Sequence, residues 1–291
     1  MKANIALRPL LFTVLAPVFW STGGVGLRLA DVTPWEVLFW RSLFMTLFLF
    51  SWSLLSGGKE VLSSYYRTVI RGRWVTLFFS LSLIFYVFSM SNTTVADSLL
   101  IQGTAPILIV VLGWIILGEP LKKMTLAALM VVCVGLLVIM VPSIEKGGLT
   151  GNFFGLAKAF AFAAGTIAIR QRKSVALLPA ITTAAAFVTL TAAFFIPSFS
   201  IAPKNLLILA YLGFFQTGIA FVLFTTWSGK ISSSITGLVV ILEAVLGPIW
   251  VWLLLDERPP FTTLLGGAII ITALVSHTLL FYGGKEIKIE A

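Results

Sequence analysis

The sequence is poor in the residues from which most catalytic and metal sites are built. It contains one cysteine, Cys133, and one histidine, His277. A single cysteine cannot form an intrachain disulfide, and this pair alone cannot assemble a zinc site from those ligands. The one histidine lies in the last apolar segment, which argues against a Ser–His–Asp triad, and no G-x-x-x-x-G-K-[ST] motif is present to bind ATP. The sequence therefore predicts no enzyme, no metal site, no ATP-driven pump and no cofactor.

Charged residues are also scarce. They make up 11% of the 291 residues, whereas an average soluble protein has about 25%. Hydrophobic residues make up 59% and the mean hydropathy is +1.05. The net charge is +9, but the basic residues lie in short gaps between apolar stretches, which fits membrane topology better than nucleic-acid binding. The composition predicts an all-α integral membrane protein that has the lipid bilayer as its surroundings.

Ten segments are long and apolar enough to cross a membrane, because a spanning helix needs about 20 apolar residues. Turn residues and charges separate them, and no gap between them is long enough to hold a soluble domain. The first segment lacks a small-residue cleavage site, so we interpret it as a span rather than a removed signal peptide. The predicted spans are residues 10–30, 35–56, 73–91, 96–117, 123–142, 152–171, 175–196, 205–226, 234–255 and 261–282.

The orientation follows from the distribution of lysine and arginine. Fourteen of these residues lie on the side that holds both tails and the even-numbered loops. Four lie on the opposite side, namely Arg28, Lys146, Lys204 and Arg258. Because the basic side of a membrane protein faces the cytoplasm, both termini are predicted to be cytoplasmic, in a multi-pass protein of the inner (plasma) membrane.

The chain also repeats itself. When residues 97–140 are aligned with residues 235–278, Glu119 falls on Glu257, and each glutamate follows an apolar helix that ends in a similar way (WIILGEP and WLLLDERP). Each half then has five spans, an odd number, so the second half enters the membrane with the opposite orientation. We therefore predict two inverted five-helix repeats, residues 1–144 and 149–284, which is an architecture of secondary transporters. Since one chain supplies both halves, a monomer could suffice, although an oligomer is possible.

These motifs resemble those of the drug/metabolite transporter superfamily, specifically its EamA-like branch of ten helices. The resemblance covers essentially the whole chain. The order of the motifs along the chain is more specific for the family than any single motif. The family pattern usually has proline at the position of Ala244, a departure that leaves the expected fold unchanged. The residues that carry the resemblance are 118–120, 256–259, 242–248, 19–21 and Arg41.

The resemblance implies a function. Members of this family move metabolites, often amino acids, outward across the inner membrane, and the chain is also similar in general character to the YddG-type exporters of aromatic amino acids. We therefore expect a secondary transporter that exports a small metabolite by alternating access, with an amino acid as the favoured substrate and an aromatic one as the narrower expectation. The sequence leaves the coupling ion open.

Three charged residues lie well away from the ends of the predicted spans, where an ionisable group is costly and is a functional candidate by default. Glu243 lies in the middle of the ninth span and could bind an ammonium group or a proton, or it could be a structural hydrogen-bonding residue. Lys158 could attract a substrate carboxylate if it faces inward, or its amine could extend to the outer surface. Arg41 recurs in the family pattern and could be structural, paired with a carbonyl or with Glu36.

Aromatic and amide side chains complete the candidate site. Aromatic residues in a span most often pack or anchor the protein at the interface, but deeper ones could line a cavity, and amides could join helices or bind an amino acid. The predicted substrate-binding residues are Glu243, Lys158, Trp20, Tyr86, Gln102, Gln216 and Trp250.

Two alternative functions stay open at the level of sequence. A channel or a lipid-handling protein is one, although a channel would more naturally show rings of polar or charged residues. A non-transporting assembly factor is the other, and it predicts a closed, fully apolar centre. Transport assays in liposomes distinguish the three.

The topology is directly testable. A membrane-impermeant amine reagent added outside intact cells should modify Lys204, whereas Lys122 should be protected, because the two lie on opposite sides of the predicted topology. A reporter that is active only outside the cytoplasm should be inactive when fused to Ala291. Activity of that reporter at Ala291 would contradict the predicted orientation.

Overall fold

The computed structural model describes residues 7–120, 123–146, 148–172, 175–231 and 233–282. Throughout these residues the regular structure is helical, with no strand. Apart from α4, which lies between spans 2 and 3, each α-helix is a membrane span or part of one. The α-helices are α1 (Leu7–Ser21), α2 (Gly23–Leu29), α3 (Pro34–Gly57), α4 (Val61–Arg71), α5 (Arg73–Asn92), α6 (Val95–Gln102), α7 (Ala105–Leu117), α8 (Lys123–Lys146), α9 (Leu149–Gln171), α10 (Leu177–Phe195), α11 (Pro203–Tyr211), α12 (Ala220–Trp227), α13 (Ser233–Leu255) and α14 (Phe261–Tyr282).

The helices form ten spans, as predicted. Span 1 combines α1 and α2, span 4 combines α6 and α7, and span 8 combines α11 and α12; each of the others is a single helix. Among the described residues, nine spans are long and apolar enough to cross a membrane, and the apolar part of the tenth, Phe261–His277, is shorter. The all-α fold of ten membrane helices is thereby confirmed.

Three local features were not predicted. The segment between spans 2 and 3, expected to be a loop, contains the amphipathic helix α4, whose apolar residues Leu62, Tyr66 and Val69 are exposed. Spans 1 and 4 are interrupted, at Thr22 and at residues 103–104. Span 8 contains a π-helical segment, Leu212–Ile219, between α11 and α12. Helix interruptions and π-segments are common at functional sites.

The packing of the spans is unchanged when the two five-helix repeats are exchanged. Span 6 packs on spans 3 and 4, and correspondingly span 1 packs on spans 8 and 9. Span 2 packs on spans 7 and 8, whereas span 7 packs on spans 2 and 3. Spans 5 and 10 pack against each other. Most of the interior is therefore made between the repeats rather than within either one.

The ends of spans 4 and 9 share an unusual backbone conformation. Gly118, after α7, has φ +67°, and Asp256, after α13, has φ +52°. Positive φ is ordinary for glycine and uncommon for other residues, with aspartate among the exceptions. These residues are equivalent in the repeat and precede Glu119 and Glu257. Five crossings separate the two glutamates, so they lie on opposite sides of the membrane, here called the Glu119 face and the Glu257 face.

The contact between spans 2 and 8 depends on a glycine. A methyl group at Gly213 would lie 2.6 Å from the backbone oxygen of Arg41 and 2.9 Å from the backbone nitrogen of Met45. Backbone atoms cannot move aside as the end of a side chain can. We therefore expect Gly213→Ala to force spans 2 and 8 apart and to destabilise the protein by about 1–3 kcal/mol, the usual cost of overpacking.

The measurement is thermal unfolding of the detergent-purified variants. Gly229→Ala is the matched control, because a methyl group there would meet nothing within 4 Å. Equal melting temperatures for the two variants would show that the close contact at Gly213 does not limit stability.

Candidate functional site

A network of buried polar side chains joins spans 1, 2, 3 and 8 inside the bundle. Arg41, on α3, is only 3% exposed, and its Nη2 donates a hydrogen bond to Gln216 Oε1 at 3.2 Å. Its guanidinium also lies over the ring of Tyr86, on α5, 4.9 Å from the centroid. Gln216 Nε2 in turn donates to the backbone oxygen of Trp20 at 3.0 Å. Gln216 thus connects the arginine to the backbone of span 1.

The π-helical segment positions Gln216. Within it, the Thr217 hydroxyl donates to the backbone oxygen of Leu212, five residues earlier, at 2.5 Å. Such a widened turn shifts the residues after it around the helix axis. The glycine at 213 allows this segment to press against α3 beside Arg41. On span 1, a methyl group at Gly23 would overlap the Tyr86 hydroxyl, so small residues bring the network together.

Three charged groups face one another in this interior. Glu243, near the middle of α13, interacts electrostatically with Lys158 of α9 and with Arg41. Within the described part of the chain, none of the ion pairs formed includes any of the three. The side chains of Glu243 and Lys158 are both partly buried. The site therefore holds two cations and one anion, near one another but not in contact.

Aromatic rings surround these charges. The amine of Lys158 lies 5.5 Å from the centroid of the Phe162 ring, one turn along α9. The indole of Trp20 packs against Phe221 and Phe224 of α12, with centroid distances of 5.2 and 5.3 Å. Trp250, on α13, donates its Nε1 hydrogen to the Ser21 hydroxyl at 2.9 Å. These rings supply an apolar wall next to the charged groups.

Several buried polar atoms of the site have no hydrogen-bond partner. They include Arg41 Nε, the Tyr86 hydroxyl and Trp20 Nε1. A buried donor without a partner costs about 1–3 kcal/mol, so such atoms call for an explanation. These three donors are therefore candidates for hydrogen bonds to a polar ligand.

Gln102 lies apart from this network. Its Nε2 donates to the Ser98 hydroxyl at 2.6 Å, and that hydroxyl is 2.7 Å from the hydroxyl of Ser89. The chain of hydrogen bonds joins spans 3 and 4, and it lies just before the interruption of span 4 at residues 103–104. Gln102 Oε1 is nevertheless buried without a partner.

The sequence left two partners open for Arg41, a carbonyl group or Glu36. The structure shows a carbonyl, because Arg41 turns inward and donates to the side-chain oxygen of Gln216 beside Tyr86. The carboxylate of Glu36 instead accepts hydrogen bonds from Thr33 at the start of α3. No signal in the sequence identifies this partner, since spans 2, 3 and 8 converge only in the folded chain.

Two ion pairs join the repeats at opposite ends of the bundle. On the Glu257 face, Arg28 Nε donates to Glu257 Oε2 at 2.9 Å, and its Nη2 donates to the backbone oxygen of Thr93 at 2.7 Å. On the Glu119 face, Arg170 pairs with Glu119 through both of its terminal nitrogens. Arg28 ends span 1 and Arg170 ends span 6, the first spans of the two repeats. The two ion pairs are therefore equivalent under exchange of the repeats.

A cavity of about 380 Å³ lies under the ion pair of the Glu257 face. Arg28 and Glu257 line its mouth, and the buried carboxylate of Asp97 lies within its wall, where the Thr263 hydroxyl donates to it at 2.5 Å. Glu257 Oε1 also accepts a hydrogen bond from the backbone nitrogen of Val95 at 2.9 Å, so it caps α6 of the other repeat. Among the described residues, no group of three or more histidine, cysteine, aspartate or glutamate side chains could hold a metal ion.

Comparison with known proteins decides the family. The model of the EamA-like transporter family matches residues 7–141 and again residues 149–279, once for each repeat. The chain belongs to the EamA-like transporter family. No curated protein matches the sequence. One solved structure, described as "Crystal structure of protein", has the same fold at a TM-score of 0.66 and 19% identity, and the match covers 96% of this chain and 99% of that one.

Membership in the EamA-like family confirms the expected superfamily and the two-repeat architecture. This EamA-like protein is a multi-pass membrane transporter of small molecules, and its family consists of transporters rather than enzymes. The solved structure supports the fold alone. Substrate sites of transporters with inverted repeats lie near the middle of the membrane, so the charged and aromatic side chains of the interior form the candidate site.

Proposed function

We propose that this EamA-like transporter exports amino acids, aromatic ones among them, by alternating access. The observation that carries the proposal is the arrangement of Glu243, Lys158 and Arg41. They interact electrostatically inside the bundle, and none of the ion pairs among the described residues includes any of them. Isolated charges in a membrane interior are costly, and they usually pair with one another or serve a substrate. An amino acid carries one charge of each sign and would pair with both kinds.

The chemistry of the site fits the two ends of a zwitterion. Glu243 accepts hydrogen bonds from an ammonium group, and Lys158 and Arg41 bind a carboxylate. A charged hydrogen bond is stronger than a neutral one and acts in surroundings of low dielectric constant. Arg41 Nε and the Tyr86 hydroxyl, both without partners, supply further donors for the carboxylate. The rings of Trp20 and Phe162 would contact an aromatic side chain, which favours aromatic substrates.

Alternating access would break the two ion pairs in turn. The pair between Arg28 and Glu257 joins the repeats on one face, and the pair between Arg170 and Glu119 joins them on the other. When the repeats, residues 1–144 and 149–284, rock about the central site, the pair on the opening face must separate while the other remains. Each pair is partly exposed to solvent and hence weak enough to break repeatedly, since such pairs contribute about 1 kcal/mol or less.

The distribution of basic residues supports an assignment of the Glu119 face to one side of the membrane. Arg71, Arg170 and Arg172 lie on that face in the folded chain, together with most of the other basic residues assigned to the cytoplasm. We therefore propose that the Glu119 face is cytoplasmic, that both termini lie there, and that the membrane is the inner (plasma) membrane. Both repeats belong to one chain, so a monomer is sufficient for this mechanism.

The first test is the variant Glu243→Gln. The amide keeps the shape of the side chain and can still bridge helices, but it removes the charge that recognises an ammonium group. We expect Glu243→Gln to fold with an unchanged melting temperature and to transport labelled phenylalanine in proteoliposomes at least about tenfold more slowly, because a charged hydrogen bond is lost.

Glu60→Gln is the matched control, since Glu60 is an exposed carboxylate outside the spans. Near-normal flux for Glu243→Gln at equal stability would remove Glu243 from the substrate site. No flux of any amino acid by the unaltered protein would instead reject the proposed substrate class.

The second test concerns the ion pairs. In a Cys133→Ser background, a cysteine introduced by Ser21→Cys reports on the interior beneath the Glu257 face, because Ser21 is fully buried in span 1. Glu257→Gln should speed its reaction with a membrane-impermeant maleimide by up to about fivefold, as expected for the loss of about 1 kcal/mol that holds this face closed.

Glu119→Gln breaks the equivalent pair on the other face and should not speed the reaction. The charge exchange Arg28→Glu with Glu257→Arg should restore the slow reaction. Equal acceleration by Glu257→Gln and Glu119→Gln would show general loosening of the bundle and would contradict the alternating role of the two pairs.

A further inference from the structure

A second cleft, separate from the central site, opens on the Glu119 face. It has a volume of about 200 Å³ and lies between α5, α7 and α9. Most of its lining is apolar, including Phe78, Ile116 and Phe160. Its polar end is formed by Arg71 and Arg172. The cleft is thus apolar along its length and strongly cationic at the end nearest the membrane surface.

The two arginines have no acidic partner in the part of the chain that the structure describes. Arg172 Nη1 donates to the backbone oxygen of Arg71 at 3.2 Å, which brings the two residues together at the end of α4. No carboxylate lines the cleft. The nearby carboxylate of Glu119 is already paired with Arg170. Two arginines that line one cleft, neither of them in an ion pair among the described residues, favour a phosphate, which arginine binds through paired hydrogen bonds.

The position of the cleft selects the kind of phosphate. Ile116 is 47% exposed and Phe160 is 50% exposed, although both lie within spans. Their outer surfaces therefore contact lipid, and the apolar part of the cleft accommodates an acyl chain rather than water. Trp74, 52% exposed at the start of span 3, has the position of an interfacial aromatic residue.

The neighbouring helix α4 supports the same location. Its apolar side chains Leu62, Tyr66, Val69 and Ile70 are all more than half exposed, and they recur at the spacing of one helical face. An amphipathic helix of this kind lies in the plane of the membrane interface with its apolar face among the lipids. Because Arg71 ends this helix, its guanidinium lies at the level of the headgroups.

We infer that this cleft binds an anionic phospholipid, with the phosphate between Arg71 and Arg172 and an acyl chain along Phe78, Ile116 and Phe160. Basic pockets between membrane helices bind anionic lipid headgroups in this way. The site is independent of the transported substrate. It lies against α7 and α9, whose ends carry Glu119 and Arg170, so the bound lipid packs beside the helices that this ion pair joins.

The experiment uses the full chain, purified in a neutral detergent. Its thermal unfolding is measured alone, with phosphatidylglycerol, with phosphatidylcholine of the same acyl chains, and with glycerol 3-phosphate. We expect phosphatidylglycerol to raise the melting temperature and the other two additives to leave it nearly unchanged. An equal rise with phosphatidylcholine would overturn the proposal, and an equal rise with glycerol 3-phosphate would indicate a site for free phosphate instead.

Variants locate the site. The double variant Arg71→Gln and Arg172→Gln should weaken the apparent affinity for phosphatidylglycerol about tenfold or more, through the loss of two charged contacts. The control is Arg8→Gln with Arg67→Gln, which removes the same charge from exposed residues that do not line the cleft. An equal loss in both double variants would show an effect of surface charge alone and would overturn the proposal.

A third variant keeps both arginines. Ile116→Trp should fill the apolar part of the cleft and should also abolish the rise caused by phosphatidylglycerol, even if the arginine variant unfolds. An unchanged rise in Ile116→Trp would overturn the placement of the acyl chain.

Discussion

The structure depends on one constraint, which is the cost of charge inside a membrane. Arg41, Lys158 and Glu243 all lie within spans, yet none of them belongs to an ion pair within the described ranges of the chain. A π-helical segment brings Gln216 to Arg41, and glycines allow close contact between the surrounding helices. A purely structural role would be served better by a direct pair, because an uncompensated buried charge is strongly destabilising. The absence of a direct pair among the three supports the proposed role in binding a charged substrate.

The repeats give this site its mobility. Exchange of the two halves leaves the pattern of packed spans unchanged, and it relates the ion pair on one face to the ion pair on the other. Because each half has the opposite orientation, the proposed mechanism requires two alternative arrangements of the repeats, one open on each face. The central charges lie where the two repeats meet, with Arg41 from the first repeat and Lys158 and Glu243 from the second. In the proposed mechanism, movement of the repeats would therefore change the spacing of these three groups.

The sequence predicted the large-scale features because they follow from composition and periodicity. Ten spans, two repeats and the positions of Glu243 and Lys158 within spans follow from apolar length and from the match of Glu119 with Glu257. Contacts between distant spans could not be predicted in this way. The partner of Arg41, the π-helical segment around Gln216 and the separate hydrogen-bonded chain of Gln102 depend on packing, which an apolar sequence encodes weakly because many apolar residues fit the same position. The helix α4 could have been found, since its apolar residues recur every three to four positions.

The central claim is that the site recognises both charges of an amino acid, and binding tests it most directly. The affinity of the purified protein is measured for phenylalanine and for leucine. It is also measured for two analogues of each: the corresponding amine, which lacks the carboxylate, and the corresponding acid, which lacks the ammonium group. The account predicts that each amino acid binds at least about tenfold more tightly than either analogue, because each analogue leaves charged groups of the protein unpaired. Equal affinity for the amino acid and for its amine would contradict the role of Lys158 and Arg41, and equal affinity for the acid would contradict the role of Glu243.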